Sequence, residues 1–278
     1  MSSARIEFVT GKGGVGKTTI AAALALSAAK HRGRALLVQV EDGRAAVRTL
    51  GDARDVHVVT VTHKQAMQDA ITRMLYARIL AKAIVNQRSV ARLLDTVPAI
   101  RELVVLEAVR ALAEANPDAG IVVDLPATGH AVDFLRVPAA AKRFLQHGPA
   151  ARMCDEILEQ VLTPSQCRIV VVSTFEPVVA RETRELCQRL KDDLGLSAKL
   201  IVMNRTPAAL PPAAADALVA AAASPELAEV LVRARSRIAA WQEAEESRRV
   251  LGGFAPVTLV PDFGLDPTAA EVAQELAR

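Results

Sequence analysis

The stretch Gly11-Lys12-Gly13-Gly14-Val15-Gly16-Lys17-Thr18 fits the phosphate-binding pattern G-x-x-x-x-G-K-[ST] at every defined position. Its flanks are what the pattern requires. Before it, Arg5 to Thr10 sets apolar Ile6, Phe8 and Val9 in a strand-like run, and after it Thr18 to Lys30 is an Ala- and Leu-rich helical pattern. Strand, loop and helix in that order place successive backbone N–H groups around an anion, backed by the positive end of the helix. Lys17 is then the charge that neutralises the β and γ phosphates, and Thr18 the hydroxyl offered to Mg²⁺. A nucleoside triphosphate site on an α/β domain is the first expectation.

Working outward, the 278 residues and 29.6 kDa suffice for one P-loop domain over 1–278 that carries a helical insertion. The apolar content of 51% is mostly Ala, Val and Leu, aromatics are 3%, and the net charge of +3 is too small for a nucleic-acid-type basic protein. The sequence carries neither a signal-peptide pattern nor an uninterrupted apolar run of membrane-spanning length, so a cytoplasmic protein is expected. Cys154, Cys167 and Cys187 are odd in number and share no C-x-x-C spacing, which points to neither a disulfide framework nor a zinc knuckle.

Along the chain, Arg34 to Glu41 holds Ala35-Leu36-Leu37-Val38 and Val40, a run suited to a parallel strand covered on both faces. It ends in the acidic turn Glu41-Asp42-Gly43-Arg44. Val56 to Val61 is a further strand. From Lys64 to Glu114 the pattern is helical, with Met67, Ile71, Met74, Leu75 and Ile79 on one stripe and a break at Pro98. That is too long for a simple crossover, and it is read as a helical insertion over 64–115, in which the cations Lys64, Arg73, Arg78, Lys82, Arg88 and Arg92 beside the apolar stripe are either a partner surface or a solvated face over a stripe packed on the core. Gly120 to Leu125 is an apolar strand that delivers Asp124 at its carboxyl end, where a second Mg²⁺-associated carboxylate belongs. The turn Pro126-Ala127-Thr128-Gly129-His130 follows, placed to sense a γ phosphate.

Further strands are expected at Arg168 to Ser173, Ala198 to Asn204 and Val257 to Val260, with helices over Pro177 to Asp193, Glu226 to Leu251 and Pro267 to Leu276. Alternating strands and helices predict a mostly parallel sheet with right-handed crossovers. Arg233, Arg235 and Arg237 are followed by Glu243, Glu245 and Glu246, the pattern of a solvated face and not of a nucleic-acid stripe. Asn204 ends its strand, and an Asn amide can pair with adenine N6 and N7, so ATP is favoured over GTP.

Taken together these motifs resemble a known family. The segment from Gly11 to Thr19, with a second lysine at Lys12, is similar to the deviant phosphate loop of the partition, nitrogenase-reductase and arsenite-pump ATPases. Asp124-Leu-Pro-Ala-Thr-Gly-His130, continuing to Phe134-Leu135-Arg136-Val137-Pro138, resembles switch II of the arsenite-pump and tail-anchored-protein-targeting ATPases. Val97-Pro98-Ala99-Ile100-Arg101-Glu102 and Ser173-Thr174-Phe175-Glu176-Pro177 look like two further family segments.

The resemblance implies an ATP- and Mg²⁺-dependent ATPase that works as a homodimer, or as a heterodimer with a related ATPase. Lys12 would reach the partner's phosphates, dimer closure would control an unidentified protein client, and any membrane link would run indirectly through a partner. Gly11 to Thr19 and Asn204 would then bind nucleotide, Thr18 and Asp124 the metal. Glu41 stands where the family's switch I carries its catalytic aspartate, beside Lys12 and Asp124 as the candidate catalytic groups, and one extra methylene implies slow turnover. Cysteine next to switch II and the zinc C-x-x-C of targeting members are absent. Two other readings stand beside this one: a weakly hydrolytic ATP-binding scaffold subunit, and a partition-type ATPase, which the balanced charge disfavours.

Overall fold

A computed structural model describes residues 5–41, 44–75, 98–126, 131–208, 228–264 and 267–277. Seven strands form one sheet: β1 (Ile6–Gly11), β2 (Ala35–Val40), β3 (Val56–Val61), β4 (Gly120–Asp124), β5 (Cys167–Ser173), β6 (Ala198–Thr206) and β7 (Val257–Pro261). They run in the order β3-β2-β4-β1-β5-β6-β7, and every pairing is parallel. The described helices are α1 (Lys17–Arg32), α2 (Arg44–Leu50), α3 (His63–Leu75), α4 (Pro98–Ala115), α5 (Ala131–Lys142), α6 (Pro149–Gln160), α7 (Pro177–Leu194), α8 (Ala228–Leu251) and α9 (Ala269–Leu276). None of the helices among the described residues is long and apolar enough to cross a membrane.

The side chains of a strand point alternately to its two faces, and here both faces are buried. Ile6 and Phe8 of β1, with Leu36, Val38, Ile121 and Val123 of its neighbours, belong to a core shared with α3 to α8. Val9, Leu37, Val122 and Val170 face the other way, onto α1, α2 and α9. This is why the strands read as near-continuous apolar runs in the sequence. The expected strands are all present; α2 and α6 carry no sequence signal singled out above.

The α1 helix covers the centre of the sheet closely because its inward positions are small. Ala21, Ala22, Ala23 and Ala25 are fully buried, and a Cβ on Gly120 of β4 would lie 2.8 Å from the Cβ of Ala28. Gly33 ends α1 in the left-handed conformation with its N–H on the Ala29 carbonyl, and Lys30, His31 and Arg32 lie in its last turn, against the negative helix end. The position of the phosphate loop is therefore set from both sides, by β1 before it and a tightly seated helix after it.

The segment read as an insertion packs onto the sheet at both of its described ends. Met67 is buried, Ile71 and Met74 pack against the same core, and α4 contributes Val104, Val105, Leu106 and Val109. Arg73, one of the cations assigned to a partner surface, donates from Nε to the buried Glu107 at 2.9 Å. Arg110 forks onto the same carboxylate at 2.7 and 3.0 Å and reaches Gln160 of α6 at 3.3 Å, so one ion cluster ties α3, α4 and α6. Hydrogen bonding to Glu107 pushes the Arg110 pKa up, above its already high ordinary value. Leu75 ends α3, its side chain not described; Ile79, Arg78, Lys82, Arg88 and Arg92 lie outside the described residues.

Where β1 meets the phosphate loop, Gly11 has φ 145°, and a Cβ there would fall 2.2 Å from the carbonyl oxygen of Val172 on β5. Backbone on a central strand cannot retreat. Gly11→Ala is expected to cost at least about 2 kcal/mol, from left-handed strain plus the clash, read as a fall in the urea midpoint at unchanged slope.

Candidate nucleotide site

The loop between β1 and α1 curls through two more glycines at positive φ, Gly14 at 83° and Gly16 at 91°. Gly16 is the N-cap of α1, and a Cβ on it would lie 2.3 Å from the amide nitrogen of Asn204. That amide donates to the carbonyl of Val15 at 2.9 Å, and the next residue, Arg205, donates to the carbonyl of Gly14 at 3.2 Å. Two consecutive residues at the end of β6 thus brace the loop from the side. Arg205 is itself left-handed at φ 56°, where the register of β6 against β7 shifts. The sequence expectation for Asn204 was contact with adenine; its amide nitrogen is spent on the loop, and its amide oxygen is not used in that bond.

Lys17 opens α1 and is 7% exposed. Its ammonium donates to the carbonyl of Lys12 at 2.9 Å, closing the loop on itself. Burial pulls its pKa down, opposed by the negative charge of Asp124. Asp124 stands at the end of β4, beside Val9 of β1 and Gln39 of β2 in the sheet register. One of its oxygens, Oδ2, accepts from the Thr18 hydroxyl at 2.6 Å and from the Gln39 amide at 2.7 Å. The other, Oδ1, is buried with no hydrogen-bond partner among the described residues. Desolvation pushes the Asp124 carboxyl above the usual carboxylate range, against the pull of Thr18, Gln39 and Lys17.

This donor set fits Mg²⁺. Hard oxygen ligands, one hydroxyl and one carboxylate with an unpaired oxygen, stand together at the mouth of a phosphate loop, which is how a magnesium ion shared with phosphates is held. Thr18 and Asp124 are the residues that would hold it, directly or through water. Gln39 was not picked out from the sequence. Its signal was an amide interrupting an apolar strand that both faces of the sheet bury.

Two residues singled out from the sequence lie elsewhere. The exposed ammonium of Lys12 pairs with Glu182 of α7 at 2.8 Å and does not turn into its own loop. Glu41 is left-handed at φ 69°, and its carboxylate accepts from the backbone N–H of His63 at 2.7 Å and pairs with the His63 imidazole. Those contacts lie on the β3 side of β2, whereas β1 lies two strands away on the other side, roughly 10 Å at ordinary strand spacing. Asp42, Thr128, Gly129 and His130 lie outside the described residues. Next to the loop, a cavity of about 860 Å³ is lined by Gly16, Thr19, Arg48, Thr49, Asn204, Arg205 and the 261–264 segment, large enough for a nucleoside.

The three cysteines are buried and unpaired. Burial alone pushes Cys187 up to about 11 and Cys167 up to about 12. Among the described residues no three His, Cys, Asp or Glu side chains converge as a metal cluster would require.

With this geometry in place, the chain's residues 4–157, more than half of its length, match the family model described as anion-transporting ATPase. The chain belongs to the anion-transporting ATPase family. Such membership carries ATPase chemistry, nucleotide use and, usually, Mg²⁺. Among similar proteins, ATPase BagA of Mycobacterium tuberculosis is 29% identical over 236 residues, covering 76% of this chain and 68% of that one. A protein of Halobacterium salinarum that carries the name of an arsenical pump-driving ATPase is 26% identical over 227 residues, 72% of this chain but 35% of its own length. An uncharacterised protein of Streptomyces coelicolor is 31% identical over 173 residues, 57% of this chain and 43% of that one.

The sign of the Asp124 shift gives a test. A carboxyl whose folded pKa lies above its unfolded value favours the fold at low pH, and that contribution is lost as pH rises through the folded value. At neutral pH the ionised group is a net cost, offset in part by Lys17. Asp124→Asn is expected to raise the Tm of the nucleotide-free protein by about 2–4 °C for each ~1 kcal/mol relieved, while removing the effect of Mg²⁺ on ATP affinity.

Proposed function

We propose that this member of the anion-transporting ATPase family binds MgATP in the Gly11–Thr19 loop and uses nucleotide-driven closure of a dimer to control a protein partner. The observation that carries the proposal is the division of labour between two lysines. Lys17 is buried and turned into the loop, where a phosphate can displace the Lys12 carbonyl as its partner. Lys12 is half-exposed and turned outward, held by a surface ion pair worth about 1 kcal/mol or less. A cation so weakly tethered is available to a phosphate presented by a second subunit, and the same exchange frees Glu182 on α7. Closure then reaches α7 through a contact that the nucleotide itself replaces.

In the chemical step, the residues of this chain position and neutralise. The loop N–H groups, Lys17 and the α1 N-terminus would hold the phosphates, and Thr18 and Asp124 would hold the metal, which would supply stabilisation of the negative charge on the phosphates. Asn204, Arg205 and the cavity beside them hold the nucleoside end.

The placement of Glu41 favours a second reading, a weakly hydrolytic ATP-binding scaffold subunit. Holding a water in line demands placement to within about 1 Å, since an error of that size costs on the order of 10²-fold. Glu41 meets that demand only after its bonds to His63 break and the β2 end turns inward.

Three measurements separate these readings. Lys17→Ala abolishes ATP binding in calorimetry; retained affinity would move the site elsewhere. Lys12→Ala leaves ATP binding within about twofold of wild type but prevents the rise in mass that light scattering reads with a non-hydrolysable ATP analogue; a variant that still dimerises overturns the closure mechanism. In single-turnover hydrolysis, Glu41→Gln lowers the rate about 10²-fold if Glu41 holds the water, and leaves a slow rate unchanged in a scaffold subunit.

A further inference from the structure

We propose that Gln39 is a positioning residue for the metal-binding carboxylate of Asp124, an assignment that rests on the MgATP reading above. A carboxylate turns about its Cβ–Cγ bond in a broad, two-fold well, so proximity alone does not decide which oxygen faces a metal. Here both donors choose the same atom. The Thr18 hydroxyl and the Gln39 amide each reach Oδ2, at 2.6 and 2.7 Å, and Oδ1 is left without a partner among the described residues.

The two donors are not equivalent. Thr18 comes from α1 and is a rotor that must also offer its oxygen to the metal. Gln39 comes from β2, the strand beside β4, is 4% exposed, and is placed by the sheet register that pairs it with Asp124. With a second donor from the sheet, Oδ2 stays turned toward Thr18 and Gln39 and Oδ1 stays unpaired.

The side-chain chemistry at position 39 is selective. A lysine there would neutralise the carboxylate, a carboxylate would repel it, and an apolar residue would leave Oδ2 with one donor in a dry site. An amide orients the anion and leaves its charge for the cation. Partners of this kind, which touch the ligand and not the ion, typically set metal affinity by 10- to 100-fold.

The test compares wild type, Gln39→Met and Gln39→Asn. Methionine keeps the volume and removes the donor; asparagine keeps the amide but withdraws it by one methylene. Calorimetry with a non-hydrolysable ATP analogue is run without metal and across a Mg²⁺ titration, and thermal unfolding is recorded alongside. In both variants, metal-free affinity should stay within about twofold of wild type, while the Mg²⁺ concentration at half effect should rise about tenfold or more. An unchanged Mg²⁺ midpoint in either folded variant overturns the assignment. So does a parallel loss of affinity with and without metal, since that is the signature of packing alone. If Mg²⁺ has no effect on wild-type affinity, the MgATP reading itself fails, which is a different result from a variant that matches a metal-responsive wild type.

Discussion

One carboxylate removed from water, Asp124, holds together the parts that make this site. It is 8% exposed, at the end of a central strand, with one oxygen doubly bonded by neighbours and the other unpaired. Taking such a group out of water costs several kcal/mol unless charge and hydrogen bonds replace the lost solvent. Thr18, Gln39 and Lys17 replace part of it, and they arrive from α1, β2 and the phosphate loop. The adjacency of β2, β4 and β1 is thus what makes the carboxylate tolerable. Lys17 is the mirror case, a buried cation with its pKa pulled down by the same desolvation. Both charges are incompletely matched within the chain, as a site built to receive further charges would be.

Around that centre the structure separates rigid from exchangeable contacts. Gly11 against Val172, Gly16 against Asn204 and Gly120 against Ala28 are approaches that admit no extra carbon, and they fix the loop to β5, β6 and the sheet. The ion pairs at the periphery are of another kind. Lys12 with Glu182 and Glu41 with the half-buried His63 lie where solvent reaches the pair and competes, and little energy is at stake. A nucleotide that rearranged the second class while leaving the first intact would move helices without disturbing the fold.

Much of this was legible in the sequence because it is local. The phosphate loop is eight consecutive residues, and the parallel strands announce themselves as apolar runs because helices bury both of their faces. Asp124 could be placed at a strand end on the same grounds. Gln39 could not be assigned, since its partner lies 85 positions away and they meet only because β2 and β4 are neighbours. Lys12 and Glu182 are 170 positions apart, and their pairing depends on where α7 crosses the sheet. Arg73 reads in the sequence as part of a free surface because Glu107, which takes it, sits on a different helix. Glu41 was read from its place after β2, but periodicity says nothing of a left-handed turn that swings the side chain outward.

The buried cysteines have a consequence for chemistry at the surface. With Cys167 and Cys187 pushed up to about 12 and about 11 by burial, very little of either thiol is the reactive thiolate at physiological pH. Cys154 is shifted in the same direction by its burial. Oxidants and alkylating reagents that would disable a sensor thiol therefore find little to attack in the folded chain, and a cysteine introduced on an exposed helix would stand out as the fast-reacting position for a spectroscopic label.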